Sequence, residues 1–150
     1  GDQSNEPATA TDLSEAAIED LIIQIMGATN SRGLKISLMP KALIVPRQLW
    51  FEANRILKSV LQNDTANNAI NVLQATNALP GGIKVNHYLT DQDAWFMRTN
   101  APRGMMCYER EAVSFALDND FDTSNAKAKS YERYSFSVSD WRGLYGSPGA

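Results

Sequence analysis

Apolar and polar residues alternate most clearly in the last third of the chain. From Ala128 to Val138, Glu132, Tyr134, Phe136 and Val138 fall on one side of an extended backbone, and Tyr131, Arg133, Ser135 and Ser137 fall on the other. Val113, Phe115 and Leu117 alternate in the same way with Ala112, Ser114 and Ala116. Between the two runs, residues 118–125 read Asp-Asn-Asp-Phe-Asp-Thr-Ser-Asn, a cluster that prefers turns. The pattern predicts a long antiparallel ribbon with a polar tip, closed by a short aromatic strand around Trp141 and Tyr145.

Earlier in the chain the period changes. Leu13, Ala17, Leu21, Ile22, Ile25 and Met26 follow helical spacing, with Thr11 or Asp12 as the expected cap and Glu15, Glu19 and Asp20 near the positive end of the helix dipole. Ser31, Arg32 and Gly33 predict a turn, Leu34, Ile36 and Leu38 a short strand, and Ala42 to Val45 a strand buried in the centre of a sheet. Pro46 is placed to open a second helix, whose sheet-facing side would carry Leu49, Ala53, Ile56, Leu57, Val60 and Leu61. After an Asn-rich loop and a short element at Ile70 to Leu73, Pro80-Gly81-Gly82 turns the chain into strands at Ile83 to Tyr88 and Ala94 to Arg98. This order of elements predicts an α+β fold.

With 150 residues, 43% of them apolar, the chain is long enough for one domain with its own core. A net charge of -3 gives no basic footprint for gripping nucleic acid. One cysteine excludes an intrachain disulfide and a zinc cluster, and points to synthesis in a reducing compartment. No run approaches the roughly 18 apolar residues of a membrane-spanning helix, so no membrane partner is expected. Because the chain opens on Gly1 instead of Met, it is expected to derive from a longer or processed product.

Candidate chemistry is sparse. His87, the only histidine, has Asp91 and Asp93 nearby and would be the base of a small hydrolase, but no GxSxG nucleophile accompanies it, and a structural hydrogen bond at a strand end is the better reading. Asp118, Asp120, Asp122 and Ser124 begin like a calcium loop, yet Thr123 stands where the turn glycine belongs and Lys129 where the bidentate glutamate belongs. Cys107, among Met105, Met106 and Tyr108, reads as a buried thiol. Lys127, Lys129 and Arg133 form a thin basic face, and Asn63-Asp64-Thr65 is a chance glycosylation match. No catalytic, cofactor-binding or metal site is expected.

Three segments carry a family resemblance: SRGLKISLMPKALIVPRQLWFEANRIL, GGIKVNHYLTDQDAWFM and MMCYEREAVSFALDNDFDTSNAKAKSYERYSFSVSDWRGLYGS. In this order they resemble the C-terminal half of a tailed-bacteriophage major capsid protein of the Hong Kong ninety-seven shell fold. The resemblance implies a polar lead-in at residues 1–10, an axial-like α/β portion at 11–104, a peripheral-like ribbon at 105–135, and a closing strand and tail at 136–150 that return to the axial portion. No counterpart of the family's N-terminal arm, extended loop or spine helix is present, and no asparagine can be assigned to the isopeptide crosslink of some members.

What the resemblance implies is a structural subunit that assembles with copies of itself, as pentamers and hexamers, into an icosahedral virion shell enclosing DNA. Scaffold, portal or decoration proteins would be further partners, and assembly would take place in the host cytoplasm. An encapsulin-type shell and the His87 hydrolase are the alternatives. Tyr131, Tyr134, Phe136, Trp141 and Tyr145 suit core or interface positions, where aromatics carry much of the binding energy.

Overall fold

The apolar run that begins at Pro40 forms an internal strand in the computed structural model, which describes residues 4–62, 69–119 and 122–150. In chain order the elements are α1 (Glu15–Met26), β1 (Pro40–Val45), α2 (Trp50–Lys58), α3 (Val72–Ala75), β2 (Ile83–Val85), β3 (Trp95–Thr99), β4 (Met105–Asn119), β5 (Ala126–Val138) and β6 (Leu144–Ser147). A four-stranded sheet has the order β2-β1-β3-β6, and β4 and β5 form a separate two-stranded ribbon. β2 runs parallel to β1, with α2 and α3 in the crossover that a parallel pair requires, whereas β3 and β6 are antiparallel additions. The fold is the expected α+β mixture.

Alternation along the central strands sets the core. Leu43 and Val45 of β1 and Trp95 and Met97 of β3 are fully buried, and Ile18, Leu21 and Ile25 of α1 join them with Tyr145 of β6. The indole N–H of Trp95 is satisfied by donating to the Thr11 carbonyl oxygen at 3.0 Å. Residues of the expected lead-in lie along the outer edge of β6: Asn5 Nδ2 donates to the Leu144 oxygen at 3.1 Å, and its own carbonyl accepts from the Gly146 N–H at 3.0 Å.

Several boundaries differ from those expected. Ser14 caps α1, its hydroxyl accepting from the Ala17 N–H at 3.2 Å, and takes the place expected of Thr11 or Asp12. The buried stripe of α1 runs Ile18, Leu21, Ile22, Ile25, so Met26 falls at its flank and is exposed. The expected strand at Leu34 to Leu38 is reduced to a single antiparallel bridge between Lys35 and Thr29, in which Ile36 N–H donates to the Ala28 oxygen at 3.2 Å, and Asn30 Oδ1 accepts from the N–H groups of Arg32 and Leu34 at 2.9 and 3.0 Å in the turn between them. Only Leu38 of that trio reaches the core.

α2 begins at Trp50, four residues after Pro46, and ends at Lys58 because Ser59 turns extended, with φ -66 and ψ 138. Val60 and Leu61 are therefore exposed instead of continuing the helical stripe. The turn out of α2 is held by Asn71, which is buried: its amide group donates to the Ile56 carbonyl and to Ser59 Oγ, and its oxygen accepts from the Gln74 N–H at the start of α3. Tyr88 lies beyond β2 and is exposed, and β5 continues past the division expected at residue 135 as far as Val138. The Asn63-Asp64-Thr65 match falls outside the described residues.

Candidate assembly interface

The ribbon leaves the sheet where two glycines cross. A Cβ on Gly143 would stand 2.6 Å from the Gly104 Cα, and one on Gly104 would stand 2.7 Å from the Gly143 Cα, so the backbones touch directly. The Ser139 N–H donates to the Gly104 oxygen at 3.1 Å and closes the ribbon's root. Beside it Arg142 lies 4.5 Å above the Trp141 ring, pairs with Asp140 at 3.2 Å and donates through Nε to the Thr29 oxygen at 3.0 Å. Tyr145 follows on β6. Burial pushes its hydroxyl above the usual pKa, with Arg142 partly opposing and Asp140 adding to the rise.

Beyond the root, no described residue covers either face of the ribbon. All of β5 is exposed and nearly all of β4, because only these two strands pair. Met105 faces Val138, Cys107 faces Phe136, Glu109 faces Tyr134, Phe115 faces Ser130 and Leu117 faces Ala128, which places these residues on one face. The Tyr134 and Phe136 rings lie edge to face on it, 5.4 Å apart. The opposite face carries Ser114, Ser135 and Ser137 with Arg133, Lys129 and Lys127, the last opposite Asp118.

β4 has 15 residues against 13 in β5, and two bulges absorb the difference, one between Glu109 and Glu111 and one between Glu111 and Ser114. Each bulge adds one residue and flips the alternation. Two in succession restore it, so Phe115 and Leu117 return to the face of Met105 and Cys107.

Cys107 is exposed, not buried as expected. Its apolar neighbours are strand residues of an uncovered ribbon, so local composition gives no shelter. The five aromatics divide: Tyr145 is core and Trp141 is half-buried, whereas Tyr131, Tyr134 and Phe136 face solvent. Phe115 and Leu117 are 79% and 84% exposed, values that a free surface of this apolar character would not keep without cost.

A second surface lies outside the stripes read from sequence. Trp50 and Phe51 stand on the outer side of α2, exposed, with ring centroids 4.9 Å apart. Two adjacent aromatics cannot both face the sheet from one helix, and that was the available signal.

The other candidate chemistry is not brought together. His87 sits exposed in the turn after β2 and makes no hydrogen bond to another described residue, so neither the structural bond expected of it nor a pairing with Asp91 or Asp93 is formed. Asp91 Oδ1 accepts instead from the Asp93 N–H at 3.1 Å. At the ribbon tip Asp118 Oδ1 accepts from the Asn119 N–H, Asp120 lies outside the described residues, and no group of three metal-ligating side chains gathers among the described residues.

A mixed sheet with a long projecting ribbon is the architecture of Hong Kong ninety-seven type shell proteins. A virus-like particle from Pyrococcus furiosus superposes with a TM-score of 0.53 at 14% identity, over 98% of this chain and 57% of that one. A chain of Mycobacterium phage Che8 superposes with a TM-score of 0.51 at 17% identity, over 97% of this chain and 53% of that one. Such likeness shows the shared fold, and the chain spans little more than half the length of either structure. The sequence profile of the phage capsid protein family matches residues 2–147, and the chain belongs to that family. No curated protein sequence matches it.

Proposed function

We propose that the chain is a structural part of a phage or prophage capsid subunit, and that its ribbon is buried between copies when they assemble as pentamers and hexamers into an icosahedral shell around DNA. The observation that carries this reading is the uncovered ribbon. An isolated two-stranded hairpin is marginal in water, and this one exposes Phe115, Leu117, Phe136 and Val138 on a single face. A stable contact buries on the order of a thousand square ångströms or more, and a long ribbon with an aromatic face supplies a large share of that. The acidic net charge of -3 suits a container that does not hold its genome tightly. The subunit belongs in the virion, reached by assembly in the host cytoplasm, with scaffold, portal or decoration proteins as further partners, and it carries out no catalysis.

The test uses the full-length product of the parent gene, followed by sedimentation and negative-stain microscopy. Closed shells are expected from the parent protein. Replacing Leu117 and Phe136 with serine should abolish them while shifting the stability of the free subunit by no more than about 0.5 kcal/mol, since both side chains are exposed. A parent protein that stays a monodisperse monomer under all assembly conditions would sink the reading.

A further inference from the structure

The four-stranded sheet carries helices on one face only. Leu43, Val45, Trp95, Met97 and Tyr145 point into the core shared with α1 and α2, so Ile44, Phe96, Arg98 and Leu144, which alternate with them, point the other way. Ile44, Phe96 and Leu144 are half-buried and take no part in that core, and Ile44 stands between Lys84 of β2 and Phe96 of β3. Ala42, at one end of this second face, is sheltered by the turn at Gly81. A strand paired in parallel inside a sheet is normally covered on both faces. β1 is such a strand, and no helix among the described residues packs on its second face.

The two sides of this two-layer body differ in charge. The four strands contain Lys41, Lys84 and Arg98 and no carboxylate, and Lys84 and Arg98 stand exposed on the open face. By contrast, α1 contains Glu15, Glu19 and Asp20 and no base. Opposite its buried stripe, Ala16, Asp20 and Ile23 follow at helical spacing, with Glu19 and Met26 alongside. Glu15 is turned toward the end of α2, accepting from Gln62 Nε2 at 3.2 Å, and Lys35 lies at the far end of α1, its Nζ donating to the Gly27 oxygen at 2.9 Å. The side chains of Glu19, Asp20, Lys84 and Arg98 pair with no described residue. Glu6 and Asp91 also lie on the open side, where they line a hollow over Phe96 and Gly146 that neither Lys84 nor Arg98 borders.

We infer that α1 of one copy packs on the open sheet face of the next, with Glu19 and Asp20 against Lys84 and Arg98, and Ile23 against Ile44 and Phe96. The inference rests on the assembly reading and adds to it a contact outside the ribbon. The neighbour's helix supplies the layer that β1 lacks. Charge selects between the two helices of that layer: α2 presents Phe51, Arg55 and Lys58 outward, and its bases would meet Lys84 and Arg98, a juxtaposition of like charges that is disfavoured. Because the helix layer and the open face lie on opposite sides of one chain, the contact is head-to-tail, and such contacts close into rings when the rotation between copies allows it.

Charge reversal tests the pairing in the full-length gene product. Glu19→Lys with Asp20→Lys should lower the assembled fraction seen in sedimentation about tenfold or more, as should Lys84→Glu with Arg98→Glu, and combining all four should restore most of it. Glu19→Gln with Asp20→Asn sets no like charges together and should give a smaller loss. Circular dichroism melts of each free variant check that the fold is intact. On assemblies of the unaltered protein, a carbodiimide activates a carboxylate for attack by an amine, and an amide forms while the reagent takes up the elements of water and leaves as its urea. Such treatment should join Glu19 or Asp20 of one copy to Lys84 of another, seen as linked dimers and mapped by mass spectrometry. The link should vanish in Lys84→Arg, which keeps the charge but not the reactive amine. Reversals without effect, a quadruple variant no better than the doubles, or assemblies in which Lys84 links elsewhere or not at all would overturn the pairing. Each of these leaves the assembly reading standing, whereas a parent protein that stays a monomer sinks both.

Discussion

Replacing Gly143 with alanine should destabilise the fold at the point where the ribbon is anchored. The added Cβ would stand 2.6 Å from the Gly104 Cα, where ordinary contacts between carbons begin near 3.5 Å. Both partners are backbone, so no flexible side chain can swing away, and the two segments must part by most of an ångström. Two effects compete. Alanine narrows the unfolded ensemble, which stabilises by about 0.4–1 kcal/mol where the native backbone accepts it, and neither Gly104 nor Gly143 has a positive φ. Overpacking costs about 1–3 kcal/mol, and with two rigid partners the upper part of that range applies. The net expectation is a loss of about 1–2 kcal/mol, or about 3–8 °C in melting temperature for a chain of this length.

Chemical denaturation at equilibrium provides the measurement. Gly104→Ala should behave alike, because its Cβ would meet the Gly143 Cα at 2.7 Å. The double variant should lose less than the sum, since one Cβ already forces the backbones apart. Gly27→Ala is the control: Gly27 lies at the end of α1 with φ -80, an ordinary helical value, and should change stability by no more than about 0.5 kcal/mol. A Gly143→Ala protein that melts at or above the parent would refute the reasoning.

Asn71→Ala removes a helix cap and leaves the buried Ile56 carbonyl without its side-chain donor, and should cost about 2–4 kcal/mol, read as a fall in melting temperature of about 5–15 °C. Asn71→Asp keeps the capping oxygen and should recover part of that loss. Tyr145, whose hydroxyl is held above the usual tyrosine value of 10.0 chiefly by burial, should ionise later than that in an ultraviolet titration, with Tyr145→Phe identifying its share of the signal. The unfolded chain gives up this proton first, so the stabilisation is full below about pH 10 and is lost as pH rises through the folded value, and Tyr145→Phe should flatten that alkaline decline. Cys107 should react with a thiol reagent at the rate of an open thiol in the free subunit and become protected on assembly.

The sheet and ribbon were legible because their signals are local. Alternation of Tyr134, Phe136 and Val138 and the run Ala42 to Val45 depend only on the chain's own period, and both became strands. Leu34, Ile36 and Leu38 alternate too, but their pairing stops at one bridge to Thr29: Asn30 Oδ1 takes the Leu34 N–H, and the Leu38 N–H turns back to the Ile36 oxygen. The end of α2 was hidden for a similar reason, since Ser59 is held by Asn71, which lies twelve residues away. Burial of Cys107 failed as an expectation because period and composition say which residues share a face, not whether anything covers it. The same gap conceals the α2 surface: Trp50 and Phe51 are plain in the sequence, but that they stand outward depends on where the sheet packs.

The two bulges of β4 impose an even-number rule on the ribbon. Removing one residue there, for instance Arg110, would turn Phe115 and Leu117 toward the side of Lys127 and Lys129 and mix the faces halfway along. Removing one residue from each bulge would straighten β4 and leave the faces sorted. Length changes within these strands are thus tolerable in pairs and damaging singly, whereas the turn at the tip can absorb either. Insertions and deletions among naturally occurring versions of this ribbon should therefore come in twos along its stem and in any number at its end.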